Sequence, residues 1–244
     1  RTNRGSRYFI SFIDNYSRYI EVDIIKSKSK AFRSFCAYKQ RTENSTSNSV
    51  VNNERPRLKV LKSDNALEFL TEEFEKLLED SSIIRELSAP YCPEQNAIIE
   101  RPNRTIMSKV RALLYEANLP KYLWGEAVLV AVFIYNYTLH ASLGFKTPYE
   151  LRYRTKPDLN NIKIFGSIAY YRNPSPKKLE TRVNKAILLG YTDYSNYKLL
   201  DLNSHKIIFA RDVKILEGAY LDKPSISLSN IAEASLRIVV VDRV

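Results

Sequence analysis

The stretch LKVLKSDN (Leu58–Asn65) decides the fold, because it reads as a β-strand with a carboxylate, Asp64, at its C-terminal end. A second carboxylate, Glu100, lies in PEQNAIIERPNRT (Pro93–Thr105), at the predicted start of a long amphipathic helix. Between the two acidic residues lie 35 residues. A strand-end Asp and a helix Glu can converge on a divalent cation. The pair therefore indicates phosphodiester cleavage and transfer on oxygen-bound metal ions.

Composition favours a polyanionic partner, nucleic acid before an acidic membrane. The 244 residues suggest one large domain, or one domain plus a small one, and 38 Lys+Arg against 27 Asp+Glu give a formal charge of +11. General solubility is the other explanation of that charge. Two cysteines and two histidines without zinc-site spacing exclude a zinc module, and the longest apolar run, Ala127–Tyr135, is too short to span a bilayer.

Local patterns order the rest of the chain into a mixed α/β part and an all-β part. The strands Tyr8–Ile13 and Arg18–Ile25 predict a hairpin, and a helix follows from Ser29 to about Arg41. Further helices are predicted from about Ile98 to Ala117 and from about Tyr122 to Leu139. The predicted order is a hairpin, a helix, the strand that carries Asp64, a helix–strand pair and the helix that carries Glu100. This order is an RNase H-like α/β layout. After Pro148, short strands about a dozen residues apart indicate a small β-barrel.

Several segments, in order, resemble the integrase of copia-type LTR retrotransposons, over roughly Tyr8 to Glu217. The resemblance implies an α/β RNase H-like core with a mixed sheet flanked by helices, followed by a small all-β SH3-like barrel. We expect the core at residues 1–155, the SH3-like domain at 160–218 and a C-terminal extension at 219–244. The segments that resemble the core are Tyr8–Tyr19, Ser63–Phe69, Pro93–Thr105, Leu123–Ala127 and Lys146–Leu151; those that resemble the SH3-like domain are Phe165–Gly166, Leu189–Tyr191 and Ala210–Val213.

The resemblance also implies an activity, partners and a location. The activity is divalent-metal-dependent 3′-end processing and strand transfer on DNA, with Asp64 and Glu100 as catalytic residues and as ligands of Mg²⁺ or Mn²⁺. The partners are double-stranded DNA, both element ends and target, and further copies of the chain, with no membrane. The expected location is the nucleus, after a virus-like particle stage in the cytoplasm.

The family uses three acidic residues, and the third is not evident in this chain. Asp14 is a candidate, but it falls in the turn after a strand that corresponds to the family's second strand, so a side-chain-to-backbone turn bond is its expected role. The family's first catalytic Asp precedes that strand, and we expect it upstream of Arg1. Loss of that central strand is expected to leave two strand edges unpaired and the chain inactive.

Other residues leave alternatives open. Ala66 and Ala97 stand where the family usually has Gly, which favours a rival function: a non-catalytic DNA-binding remnant of a decayed or domesticated integrase. A cellular RNase H-type nuclease is a third reading, which the long second helix and the barrel disfavour. The candidate DNA-binding residues are Asn65, Asn96, Arg101, Arg104, Lys109 and Arg111. Each has an alternative role. The two asparagines can instead form turn hydrogen bonds, and the four basic residues can instead lie on a solvated helix face, with Arg104 paired to Glu100.

Overall fold

A computed structural model describes most of the chain as two compact units. Unit 1 comprises residues 1–106, 132–157 and 232–244, and unit 2 comprises residues 107–131 and 158–231. For residues 87, 93–100, 192–193 and 236–243 only the backbone is described. The described residues are 2, 5–44, 57–63, 69–87, 93–173, 178, 182–193, 196–221 and 236–243.

The helices and strands follow the predicted order, with one short helix and two strands in addition. In chain order they are β1 (Tyr8–Asp14), β2 (Ile20–Ile25), α1 (Ala31–Asn44), β3 (Leu58–Ser63), α2 (Glu72–Asp80), β4 (Ile84–Leu87), α3 (Pro93–Glu116), α4 (Trp124–Tyr137), α5 (Pro148–Tyr153), β5 (Ile168–Arg172), β6 (Val183–Asp193), β7 (Asn196–Asp201), β8 (Ile207–Ala210), β9 (Val213–Leu216) and β10 (Leu236–Arg243).

The sheet of unit 1 is mixed, with the strand order β2-β1-β10-β3-β4. β1 and β2 form an antiparallel hairpin, and β3 and β4 run parallel. β10 lies between β1 and β3, parallel to the first and antiparallel to the second. The expectation of two unpaired strand edges is therefore wrong, because this strand, from the stretch expected to be a C-terminal extension, pairs with both.

Aromatic rings form the core beside this sheet. The ring of Phe12 on β1 stacks on Tyr38 of α1 at 4.4 Å between centroids, and Phe35 stacks on Phe74 of α2 at 5.0 Å. Phe69 meets Phe74 edge-on at 5.5 Å. All five rings are buried, and burial of each contributes on the order of 1.5–3 kcal/mol. This packing joins α1 to β1 and to α2.

A buried amide completes the free edge of the hairpin. Asn136 on α4 accepts a hydrogen bond from the N–H of Ile20 at 2.9 Å and donates one to its carbonyl oxygen at 2.8 Å. The side chain of Asn136 is therefore a substitute for a neighbouring strand at the start of β2. Both backbone groups are satisfied in a place that water does not reach.

Helix α3 begins at Pro93, earlier than the predicted start near Ile98. Proline is favoured in the first turn because its missing N–H has no helical partner there. Pro102 consequently lies inside the helix, where the prediction had placed it in the first turn. Beyond Glu116 the chain leaves the helix through Asn118, whose φ is 52°.

Unit 2 contains an all-antiparallel sheet in the order β8-β7-β6-β5-β9, as the strand spacing predicted. Its inner face buries Ala169, Ala186, Leu188 and Leu199. The turn before β5 needs glycine, because Gly166 has a φ of +81° and an added Cβ would lie 2.1 Å from the Cβ of Ala117.

Candidate catalytic carboxylates and nucleic-acid interface

Of the two candidate catalytic residues, the structure describes only the backbone of Glu100. β3 ends at Ser63, the residue before Asp64. Glu100 belongs to α3, well inside the helix rather than at its start. Asp64 and the side chain of Glu100 lie outside the described residues. Their convergence on a cation therefore stays a prediction, as do the roles of Asn65, which is not described, and Asn96, of which only the backbone is described.

Asp14 makes the turn bond that its position predicted. Its Oδ2 accepts a hydrogen bond from the N–H of Ser17 at 3.0 Å and another from the Ser17 hydroxyl. The backbone closes the same turn, since the N–H of Arg18 donates to the Asp14 carbonyl oxygen at 2.8 Å. The carboxylate is 4% exposed and faces its own turn. These contacts give Asp14 a structural role at the tip of the β1–β2 hairpin.

The same turn chemistry recurs in unit 2, where no catalytic role is suggested. Asp201 ends β7, and its Oδ2 accepts from the N–H of Ser204 at 2.8 Å and from the Ser204 hydroxyl at 2.6 Å. Burial raises the pKa of the Asp201 carboxyl, but the hydrogen bonds from Ser204 outweigh burial and hold the pKa below its usual value. An Asp followed three residues later by Ser is thus a hairpin-turn device in both units of this chain.

Metal binding depends on residues beyond the described part. Within the described ranges no group of three or more His, Cys, Asp or Glu side chains could hold a metal ion. Asp14 does not supply such a group, because its carboxylate is engaged by Ser17. The binding of Mg²⁺ or Mn²⁺ by Asp64 and Glu100 stays a prediction, because neither carboxylate is among the described residues.

Helix α3 carries an exposed basic stripe. Arg101, Arg104 and Arg111 are all exposed, and within the described residues none of them has an ion-pair partner. Their spacings of three and seven residues place them along one side of the helix. The pairing of Arg104 with Glu100 stays open, since the Glu100 side chain is not described. Three neighbouring exposed arginines can contact successive phosphates of a nucleic acid.

Lys109 differs from the arginines. It is half-buried, and burial lowers the pKa of its ammonium group below the ordinary lysine value. Lys109 also follows Arg104 by five residues, which places the two about 140° apart around the helix. Lys109 therefore lies at the edge of the exposed side rather than on the stripe.

Tyr115 extends the stripe and was missed from the sequence. It follows Arg111 by four residues, one helical turn, and it is 66% exposed. An exposed aromatic ring beside arginines can stack on a base or a sugar. The sequence contained a signal for this position, because Arg104, Arg111 and Tyr115 are separated by seven and four residues, spacings that place them on one side of a helix.

No helix within the described residues is long and apolar enough to cross a membrane.

Comparison with known proteins gives relatives over most of the chain. A family model described as the retroviral polymerase SH3-like domain matches residues 167–228. Over 217 residues the chain is 35% identical to the retrovirus-related Pol polyprotein from transposon TNT 1-94 of Nicotiana tabacum, an alignment that covers 88% of this chain and 16% of the polyprotein. The Pol polyprotein from transposon RE1 of Arabidopsis thaliana is 28% identical over 217 residues, with 88% and 14% covered. The chain thus spans a small part of these relatives.

Among solved structures, a chain of the simian T-cell lymphotropic virus intasome covers 91% of this chain and 82% of its own length, at a TM-score of 0.46 and 16% identity. As the sequence predicted, the fold contains a mixed α/β unit and an all-antiparallel β-sheet, and the sheet lies in the residues that the SH3-like family model matches. Over most of its length the chain is thus homologous to retrovirus-related Pol polyproteins of plant transposons.

Proposed function

We propose that the chain is the integrase part of a Pol polyprotein, which carries out divalent-metal-dependent 3′-end processing and strand transfer on DNA. Helix α3 carries this proposal, because it bears Glu100 and the exposed arginines on one element. Similarity to the Pol polyprotein from transposon TNT 1-94 supports the same function. Asp64 and Glu100 are the proposed catalytic residues and metal ligands.

The proposed role of each of these residues follows from its charge and its position. Arg101, Arg104 and Arg111 hold the phosphates of double-stranded DNA, and Lys109 adds charge at the edge of the same helix. Asn65 and Asn96, next to the carboxylate-bearing segments in the sequence, orient a phosphate or a carboxylate. Divalent cations, when bound, supply charge neutralisation at the phosphoryl group that is transferred.

The wider setting is also a proposal. Joining an element end to a target needs two DNA molecules held at once, which a homo-oligomer of the chain provides. The proposed location of that reaction is the nucleus, where target DNA is found.

A second candidate function is a non-catalytic DNA-binding remnant of an integrase. Two observations favour it. The central strand β10 contains one acidic residue, Asp242, which pairs with Val60 rather than with Ser63 next to Asp64. Asp14, the other acidic residue of the sheet's inner strands, is held in its turn by Ser17. Within the described residues, the inner strands β1, β10 and β3 therefore supply no third carboxylate beside Ser63.

Joining of a labelled duplex with a free 3′-hydroxyl to supercoiled plasmid, in Mg²⁺ and in Mn²⁺, separates the two functions. The integrase function predicts product with the wild-type chain and its loss with Glu100→Gln, while Glu116→Gln, an exposed position on the same helix, leaves product unchanged. DNA binding is measured in parallel for all three proteins. Binding without any product from the wild-type chain would contradict the integrase function and support the remnant.

A further inference from the structure

The loop between α4 and α5, residues 139–146 and here called the Phe145 loop, is closed on itself by backbone hydrogen bonds. The N–H groups of His140 and Phe145 donate to the carbonyl oxygens of Lys146 and His140, each at 3.1 Å. The His140 ring packs on the buried ring of Tyr135 at 4.5 Å between centroids, and its Nε2 lies 3.1 Å from the Tyr135 carbonyl oxygen. These contacts fix the loop to the end of α4.

Phe145 adopts a backbone conformation that a residue of its size rarely takes. Its φ is +57°, and Gly144 before it has a φ of +63°. Glycine adopts this left-handed conformation freely, whereas a side chain with a large ring is strained there. The ring gains little burial in return, because Phe145 is 72% exposed. Strain that displays an apolar ring to solvent is typical of a binding residue and serves no packing purpose in the loop itself.

The charge around the ring indicates the class of partner. The exposed charged residues of the stretch 138–157 are Lys146, Arg154 and Lys156, and none of these three forms an ion pair within the described part of the chain. Glu150, the acidic residue of the same stretch, is half-buried. An exposed apolar ring with basic neighbours fits a partner that combines negative charge with an apolar interior. Duplex DNA is such a partner, because its phosphates surround stacked bases.

We propose that Phe145 is a wedge that inserts between two base pairs of duplex DNA and kinks the duplex, while Lys146 binds a phosphate beside the kink. The inference rests on the proposed function in taking DNA as the partner. Apolar side chains that enter the minor groove in this way unstack one base step and bend the duplex. Burial of the ring between the bases offsets part of the cost of unstacking. A loop that is already closed loses little conformational freedom when it binds.

The test measures DNA bending and DNA binding separately on one duplex. The duplex carries a donor and an acceptor dye at its two ends, and 2-aminopurine at a central thymine–adenine step, a step that unstacks easily. The wild-type chain should raise both the energy transfer between the ends and the 2-aminopurine fluorescence. Phe145→Ala should lose both signals and bind about tenfold more weakly. The dependence of its affinity on salt should be unchanged, because no phosphate contact is removed.

Two further variants serve as controls. Phe209→Ala removes a phenylalanine that is 58% exposed on β8, and it should bind and bend the duplex as the wild type does. Lys146→Gln keeps the ring but removes a phosphate contact, so the slope of log K against log salt should be smaller by about 0.9. At saturating protein its bent complex should give the same energy transfer as the wild type.

Phe145→Gly separates the wedge from the stability of the loop. Glycine relieves the strained conformation, so the equilibrium constant for folding should rise about threefold. The same variant should fail to bend the duplex, because the ring is absent. Loss of bending in a chain that is more stable than the wild type cannot be a consequence of unfolding.

The proposal is overturned if the wild-type chain binds the duplex without a rise in energy transfer, or if Phe145→Ala and Phe145→Gly bend it as the wild type does. Equal losses of bending in Phe145→Ala and Phe209→Ala would also overturn it. A change in sedimentation of Phe145→Ala without a change in bending would make the loop a contact between copies instead. Absence of duplex binding by the wild type would contradict the proposed function as well, which distinguishes that failure from failure of the wedge alone.

Discussion

The carboxylate of Asp14 and the side chain and N–H of Ser17 form a closed hydrogen-bonded turn at the tip of the first hairpin. The same relationship joins Asp201 and Ser204 in the second sheet. Two separate units thus use an Asp in this way where a strand turns back. The recurrence supports a structural role for Asp14.

Replacement of Asp14 tests this role. Asp14→Ala should lower the free energy of unfolding by about 1–3 kcal/mol, because the Ser17 N–H and hydroxyl lose a charged acceptor. Asp14→Asn keeps an acceptor oxygen and should cost less. DNA binding should be unchanged in both, as measured by fluorescence anisotropy beside chemical denaturation. A metal-dependent activity that disappears in Asp14→Asn with stability intact would show that Asp14 is a ligand after all.

The contact of Gly166 with Ala117 gives a second prediction, within unit 2. Gly166→Ala should destabilise the unit by about 1–2 kcal/mol for the left-handed backbone and by about 1–3 kcal/mol more for the forced overlap with Ala117. Gly218→Ala is the matched control, since its φ is +77° and its added Cβ meets nothing within 4 Å. Thermal unfolding of both variants measures the cost of the overlap as the difference between their losses of stability. Equal losses would show that the overlap with Ala117 costs nothing.

The lowered pKa of Asp201 predicts how unit 2 responds to acid. A carboxyl whose pKa is lower in the folded than in the unfolded chain contributes stability above the unfolded pKa, about 4, and loses it as pH falls through the folded pKa. The free energy of unfolding should therefore fall below about pH 4, and less steeply in Asp201→Asn. Ser204→Ala should act in the same direction, because it removes the hydroxyl that lowers the pKa. Parallel curves for the wild type and Asp201→Asn down to pH 2 would refute this linkage.

Much of the fold could be predicted from the sequence because it depends on local patterns. The hairpin, the strand before Asp64 and the amphipathic face of α3 each appear as periodic apolar residues. The start of α3 was misjudged because Pro102 was taken as a first-turn residue. Pro93 fills that role instead, and the helix continues through Pro102.

The position of β10 could not be predicted from local patterns. LRIVVVDR reads as a strand, but its partners are more than 170 residues earlier in the chain, at Leu58–Ser63 and Tyr8–Asp14. β10 lies there because the inner edges of β1 and β3 both need a strand to pair with, and this requirement arises only in the folded sheet.

The structural role of Asp14 was predictable, because Asp followed by Ser three residues later is a local turn signal. The half-burial of Lys109 depends on how the folded chain packs around α3, which could not be predicted from one sequence.

The central claim is that α3 binds DNA through its exposed arginines. Arg104→Glu with Arg111→Glu should weaken binding to duplex DNA and flatten the dependence of log K on log salt, since each lost phosphate contact removes about 0.9 from the slope. Arg33→Glu with Lys76→Glu changes the net charge by the same amount at exposed positions on α1 and α2. Comparison of the two pairs of substitutions therefore distinguishes the loss of a local DNA contact from a general loss of positive charge.

The most direct measurement is therefore the affinity of the wild type and of both charge-reversed pairs for one duplex, by fluorescence anisotropy from low to physiological salt. The account predicts a slope that is smaller by about 1.8 for the Arg104 and Arg111 pair, with a much smaller change for the Arg33 and Lys76 pair. Equal affinities and equal slopes for the two pairs would contradict the account, because α3 would then carry no DNA contact beyond the overall charge of the chain.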